Sequence, residues 1–378
     1  MKKTKQRIVV KVGSSSLAAA QGGCDPAKMS RLVDAIQLLR ERGHEIVLVS
    51  SGAVASGYRM LGYQQRPRTL VAKQAAAAIG QSMLMQKYSD LFAAHSTTIA
   101  QILLTRDDFS DRERYQHAFE TLSLLLGKKI VPIINENDTV SVAELTFGDN
   151  DMLGALVAGL VHADLYIILT DTNGLYDKDP RKHDDAMRIP YLDEVTPEIE
   201  ALAGDAGSLG TGGMRSKLIA AKTAQGLGLP TFIGCMTAAT DLLSIVAGEG
   251  NGTYVGYADG IAPPPNLPTR KQWIALHSPT RGQIYVDHGA AEAILKKRSS
   301  LLVAGVKEVA GSFQQGDVVE VYTDEDTFIG RGISRIAASD LRASLAPEGC
   351  EKRNGTVIHR DQWTPAQTIP LKTNPSTR

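Results

Sequence analysis

Three segments of this 378-residue chain set glycine beside small hydroxyl side chains: GSSS at 13–16, SGAVASG at 51–57 and GSLGTGGMRSK at 207–217. Where there is no Cβ, backbone N–H groups come close to phosphate oxygens, and a helix starting there adds the positive end of its dipole. Each segment alone also reads as a plain turn. The third carries further, because it ends in Lys217 at the head of the helical run KLIAAKTAQGLG. None of the three fits GxxxxGK[ST] or GxGxxG, which weighs against a P-loop enzyme and a dinucleotide-binding fold.

A second kind of chemistry is offered by FGDNDMLGALVAGL, which places Asp149, Asn150 and Asp151 at the start of an apolar helix. On the segment alone an N-terminal capping cluster is the stronger reading. The functional alternative is ligand contact from Asn150 and the positioning of cationic side chains by Asp151. The HRD at 359–361 matches part of a protein-kinase catalytic loop but lacks the downstream Asn and the DFG and Gly-rich partners, so chance explains it. The histidines show no metal-ligand spacing, and Cys24, Cys235 and Cys350 lie far apart, as in a reduced cytosolic protein.

These residues need a frame. Continuous apolar runs recur at 8–12 (IVVKV), 46–50 (IVLVS), 97–104 (TTIAQILL), 130–135 (IVPIIN) and 165–170 (LYIILT). Unbroken apolarity predicts strands covered on both faces, as in a parallel sheet. Between the first two runs, Met29, Leu32, Val33, Ile36 and Leu39 fall at helical spacing, opened by Asp25-Pro26 and closed by Gly43. Strand, helix, strand predicts right-handed crossovers and a three-layer α/β/α domain. The polar clusters follow directly on the strands: Lys11 to Ser16, Ser50 to Ala53, Asn135 to Asp138, and Thr170 to Gly174. Ligands of open parallel sheets bind outside the carboxyl ends of the strands, so the clusters should converge on one crevice.

Length predicts two domains. The composition shifts near Gly260 into DGIAPPPNLPTR, and alternating short strands follow. The expected division is an α/β domain over 1–260, a linker over 261–278, a small mostly β barrel over 279–360 and a flexible tail over 361–378. The acidic run Asp324-Glu325-Asp326 reads as a solvated hairpin turn. Forty-one basic residues balance 41 acidic ones, so no global field favours nucleic acid or anionic membrane. From Thr280 onward 13 Lys/Arg stand against 12 Asp/Glu, which weighs against an RNA footprint there. The opening MKKTKQRIVVKVG reads as a first strand, not a signal peptide, and no run approaches the roughly 20 apolar residues of a membrane span.

Taken together, KVGSSSL, VSSGAVASG, LTRDDFSDRERY, IVPIINENDTV, FGDNDML, TDTNGLYDKDPR and LGTGGMRSK, in that order, resemble the glutamate 5-kinases. This is a family of the amino acid kinase superfamily that carries a C-terminal PUA domain. The resemblance covers the chain up to about His359. It implies transfer of a phosphoryl group from ATP to the side-chain carboxylate of glutamate, the first step of proline synthesis. It also implies roles for single residues. Lys11 contacts the transferring phosphate. Ser51, Asp138 and Asn150 bind glutamate, with Gly52 and Asn135 lining the same pocket. Gly13, Thr170, Asp171 and the loop Thr211, Gly212, Gly213, Met214, Arg215, Ser216 and Lys217 bind ATP, and Asp151 holds Lys11 and Lys217 in place. Arg215 stands where the family carries a small residue.

A glutamate side chain, with an ordinary pKa of about 4.3, is already ionised at neutral pH, so the implied reaction needs no general base. It needs two anions held in line and charge neutralised as it spreads over the phosphoryl oxygens. Magnesium bridging ATP phosphates would keep several waters, so a dedicated carboxylate cage is not required. The resemblance further implies a cytoplasmic homo-oligomer, dimer or tetramer, feedback inhibition by proline and hand-over of the acyl phosphate to a glutamyl-phosphate reductase. The competing readings are a kinase of the same superfamily acting on aspartate, N-acetylglutamate, carbamate or uridylate, and an RNA-binding PUA protein with a vestigial kinase domain.

Overall fold

A computed structural model describes residues 5–19, 23–141, 150–203, 213–256, 271, 273–274, 278, 280–345 and 355–366. They divide into two compact units, one of 5–108 with 117–256, the other of 109–116 with 271–366. The chain begins with β1 (Arg7–Val12), α1 (Ser14–Leu17), α2 (Pro26–Glu41), β2 (Glu45–Ser50), α3 (Ala53–Gly57) and α4 (Leu70–Ala93). It continues with β3 (Ile99–Leu104), α5 (Arg106–Ser110), α6 (Arg112–Gly127), β4 (Val131–Glu136), α7 (Asn150–Leu160) and β5 (Leu165–Leu169). Then come the short β6 (Leu175–Tyr176), β7 (Arg188–Ile189) and β8 (Tyr191–Leu192), followed by α8 (Pro197–Leu202), α9 (Met214–Gly226), β9 (Thr231–Gly234), α10 (Asp241–Ala247) and β10 (Gly252–Val255).

The first unit is built on an eight-stranded sheet in the order β3-β4-β2-β1-β5-β9-β10-β8. From β3 through β9 every neighbouring pair is parallel, and β10 runs antiparallel to β9. The inner strands are buried along almost their whole length, which is why they read as unbroken apolar runs. The run at 97–104 departs from this: β3 starts at Ile99 and is largely half-buried, since it forms an edge of the sheet. Register aligns the strand exits. Val12 lies opposite Ser50 and Leu169, Ile134 opposite Val49, and Leu169 opposite Gly234.

Helix α2 follows from its sequence. The Asp25 side chain accepts from the backbone N–H groups of Ala27 and Lys28, Pro26 supplies a preset first turn, and Gly43 turns the chain at φ +87°. Its apolar stripe of Met29, Leu32, Val33, Ile36 and Leu39 is fully buried. The fit of α3 on α4 is closer still. A Cβ on Gly57 would lie 2.0 Å from the carbonyl oxygen of Ala76, and one on Gly80 would lie 1.8 Å from that of Ala53. The two helices meet backbone to backbone, which only glycine permits.

In the second unit β11 (Thr280–Val286) leads to α11 (His288–Leu295), β12 (Leu301–Leu302), β13 (Val306–Gly311), β14 (Val318–Thr323), β15 (Phe328–Ile333), α12 (Ala338–Leu345), β16 (Thr356–Ile358) and β17 (Trp363–Pro365). A five-stranded sheet runs β13-β11-β14-β15-β17, and β12 pairs with β16. Its core gathers Ile284, Val286, Val319, Val321, Ile329 and Trp363. Asp324, Glu325 and Asp326 form the exposed turn between β14 and β15.

Three expected boundaries need correction. The tail begins later than 361, because β17 pairs with β15 and buries Trp363 and Thr364. The 261–278 linker contains buried residues of the second unit, Trp273, Ile274 and Ser278, and Thr364 Oγ1 donates to the Lys271 carbonyl at 3.1 Å. Residues 109–116, expected in the first domain, group with the second unit. The remainder of the linker and residues 367–378 lie outside the described residues. No helix among the described residues is long and apolar enough to cross a membrane.

Candidate active site

The sequence places Lys11 near the end of β1, Asp151 in the first turn of α7 and Lys217 in the first turn of α9, and the fold joins them. Lys11 Nζ lies 2.5 Å from Asp151 Oδ1, and Lys217 Nζ lies 3.1 Å from Asp151 Oδ2. All three side chains are buried, with Asp151 fully closed from solvent. Ser216 Oγ donates to the same Oδ2 at 3.2 Å. Two buried lysines thus meet at one buried carboxylate, in a place of low dielectric where charges act strongly on one another. The backbone of Asp151 is fixed from beneath. The Tyr166 hydroxyl on β5 donates to the Asp151 carbonyl at 2.7 Å, and Gly154 makes room for it, since a Cβ there would lie 2.3 Å from that hydroxyl.

One residue earlier on α7, Asn150 serves a neutral network. Its Nδ2, with two hydrogens to share, donates among three acceptors: the Ser50 carbonyl at 2.9 Å, Ser51 Oγ at 3.0 Å and Asn135 Oδ1 at 2.7 Å. Asn135 Oδ1 also accepts from the backbone N–H of Glu136 at 2.9 Å, and Asn135 Nδ2 donates to Gln81 Oε1 at 2.8 Å. Asn150 Oδ1 is buried and has no hydrogen-bond partner among the described residues. Ser51, accepting from Asn150, keeps its own hydroxyl proton to give. Beneath the loop, Tyr88 OH and Ser50 Oγ share a hydrogen bond of 2.8 Å. The turn out of β2 runs through Gly52 at φ +112°, a conformation open to glycine.

Asp138 follows β4 at the same sheet edge. Burial, and after it the negative charge of Glu136, push its carboxyl up to about 7, while Arg66 pulls the other way. Glu136 is itself raised by burial, against a hydrogen bond from Ser141 and the charge of Arg106. Protonation of Asp138 is thereby poised in the range where substrates are bound.

The remaining expected positions are distributed as follows. Gly13 sits beside the Lys11 ammonium, where an added Cβ would lie 3.5 Å from Nζ. Thr170 Oγ1 donates to Asp171 Oδ1 at 3.1 Å just past β5, and Ser16 Oγ reaches the Leu169 carbonyl at 3.5 Å. Gly213 caps α9, Met214 and Ser216 are half-buried in its first turn, and Arg215 points outward, exposed. Thr211 and Gly212 lie outside the described residues. Gln81, Tyr88 and Tyr166 were not found by sequence reasoning. The Gly inside the Ala-rich run AAAAIG is the one signal that a close approach on α4 was required.

Comparison with known proteins follows the same lines. Residues 6–235 match the amino acid kinase family and 282–346 the PUA domain. Glutamate 5-kinase of Bacillus cereus (strain ATCC 10987 / NRS 248) is 52% identical over 366 residues, 95% of this chain and 99% of its own. Glutamate 5-kinase 1 of Bacillus licheniformis is 51% identical over 363 residues, 95% of this chain and 98% of its own. Among solved structures, a UMP kinase from Bacillus anthracis aligns with a TM-score of 0.46 and 12% identity, covering 67% of this chain and 97% of that one. The chain thus belongs to the amino acid kinase family, among the glutamate 5-kinases, with a PUA domain following the kinase domain.

Proposed function

We infer that this protein transfers the γ-phosphoryl group of ATP to the side-chain carboxylate of glutamate, giving γ-glutamyl phosphate and ADP. The observation that carries the reading is the adjacency of Asn150 and Asp151. One turn of α7 joins a neutral amide network through Asn150 and a buried pair of lysines through Asp151. A small acid held by Ser51 and Asn150, with its ammonium group toward ionised Asp138, would present its distal carboxylate to a phosphoryl group gripped by Lys11 and Lys217. The carboxylate oxygen attacks phosphorus, the bond to the bridging oxygen of ADP breaks, and the lysines take up the charge that develops. No proton has to move.

Magnesium fits the nucleotide better than the protein. Asp151 is already paired with both lysines, so in this reading the ion would be held by ATP phosphate oxygens and water and would supply charge neutralisation there. Gly13, Thr170, Asp171 and residues 211–217 are the proposed nucleotide contacts. The same reading proposes a kinase domain ending near 260 and a PUA-like domain after the linker. It also proposes a cytoplasmic homo-oligomer, proline as feedback inhibitor, and a reductase that consumes the water-sensitive acyl phosphate.

Incubation with ATP, Mg²⁺, glutamate and hydroxylamine should yield γ-glutamyl hydroxamate. ADP release with aspartate, N-acetylglutamate, carbamate or UMP in preference to glutamate would replace the substrate assignment.

A further inference from the structure

We propose that Gln81 is a positioning residue for the acid substrate: by accepting from Asn135 Nδ2 it fixes the amide pair Asn135–Asn150 that faces glutamate. The inference rests on the glutamate-kinase reading and adds to it a residue outside the pocket-lining positions.

The hydrogen bonds run in one direction. Asn150 Nδ2 donates to Asn135 Oδ1, and Asn135 Nδ2 donates to Gln81 Oε1. Asn135 is buried, so its N–H has to be satisfied by protein or by whatever enters the site. With an acceptor at position 81 the group is taken up on the side away from Asn150, and both Asn135 Oδ1 and the Asn150 amide keep one orientation. Without that acceptor, Asn135 Nδ2 is left to compete for the carboxylate of the substrate or for water. The amide pair then loses its single geometry.

Gln81 is held in place by its neighbour. Gly80 meets the backbone of Ala53 and Gly57 so closely that a Cβ would lie 1.8 Å from the Ala53 carbonyl oxygen. The same contact fixes α3, which follows directly on Ser51 and Gly52. Gln81 therefore ties the end of β4 to the helix pair that carries the Ser51 loop. The chain of side-chain contacts from Gln81 ends on the Asn150 amide, one residue before Asp151, so its removal should be felt by glutamate more than by ATP.

The test is a double-mutant cycle with steady-state kinetics on Gln81→Met, Asn135→Ala and the combined variant, with melting temperatures. Gln81→Met should raise the glutamate KM about 5-fold, the size of a lost neutral hydrogen bond, with the ATP KM moving less than about 2-fold. In the Asn135→Ala background the same change should add nothing, because the amide it serves is gone. An unchanged glutamate KM in Gln81→Met, or an equal rise in both backgrounds, overturns the proposal. Gln81→Ala reads the same way if the Met variant is insoluble. Wild-type hydroxamate formation separates the two levels. A wild type inactive on glutamate brings down the functional reading and the relay with it. An active wild type with an indifferent Gln81→Met brings down the relay alone.

Discussion

Asn150 and Asp151 are neighbours in the chain, yet they head two regions built on opposite principles. Around Asp151 three charges are buried together, while the Asn150 side chain meets an amide, a hydroxyl and a backbone carbonyl among the described residues. Burying ions costs free energy unless each finds a partner, and here both lysines pair with Asp151. In the proposed reaction the charged region would complement a group whose charge changes as the phosphoryl group moves. The amide region is nearly satisfied by itself and complements a ligand whose shape matters. On the proposed reading, rate belongs to one side of α7 and affinity for the acid to the other.

The largest effect should come from the charged side. Lys217→Met, and likewise Lys11→Met, keeps bulk and removes a cation, and should lower kcat by roughly 10²–10³ with both KM values changing much less. A Lys217→Met enzyme with near-normal kcat would end the assignment of rate to this region. Asp151→Asn takes from two buried ammonium groups the carboxylate they share. It should lose about 3–5 kcal/mol of stability, seen as a lower melting temperature that ATP partly restores.

On the amide side the effect should be smaller and of another kind. Asn150→Ala removes the donor to Asn135, Ser51 and the Ser50 carbonyl, and the glutamate KM should rise by the equivalent of about 1.5–3 kcal/mol while kcat at saturation and the ATP KM hold. If kcat fell instead, the division between the two regions would be wrong. Gly80→Ala tests what supports the amide side. The added methyl collides with the backbone of α3 and should cost about 1–3 kcal/mol of stability together with a weaker glutamate KM. Gly127→Ala, at the end of α6 with nothing near its would-be Cβ, is the matched control and should leave kinetics alone while melting temperature holds or rises slightly.

The two regions also differ in how far the sequence reveals them. The sheet was legible because burial on both faces leaves unbroken apolar runs, and α2 because its cap, proline, stripe and closing glycine agree. The clusters after the strands were legible as a site because parallel strands release them at one edge. That Lys11, Asp151 and Lys217 belong together was legible only through the family resemblance, since ion pairs between distant residues leave no local pattern. Gln81 and Tyr166 were invisible, for a polar side chain on a helix or a tyrosine in a strand says nothing about what lies opposite. The end of the second unit was misread because Trp363 sits just ahead of a polar, proline-containing stretch. Its burial is decided by pairing with β15, not by its neighbours in sequence.

The finest distinction is made by pH, through Asp138. Burial and Glu136 hold its carboxyl at about 7 against an ordinary 3.8, so in the free protein it is mostly protonated below neutrality and ionised above it. If the ionised form receives the substrate ammonium, kcat/KM for glutamate should fall about 10-fold per pH unit below that point, while kcat at saturating glutamate moves less because the bound cation keeps the carboxylate charged. Stability carries the same signature. Between 3.8 and about 7 the folded state binds a proton that the unfolded state has released, so this carboxyl lowers stability progressively as pH rises through that window. Asp138→Asn removes the term. Its melting temperature relative to wild type should climb from pH 4 to pH 8 and then level, and its kcat/KM for glutamate should be low and without the inflection. A variant that keeps the inflection would assign it to Glu136 or to another group, and would take Asp138 out of the amide region's work on the ammonium.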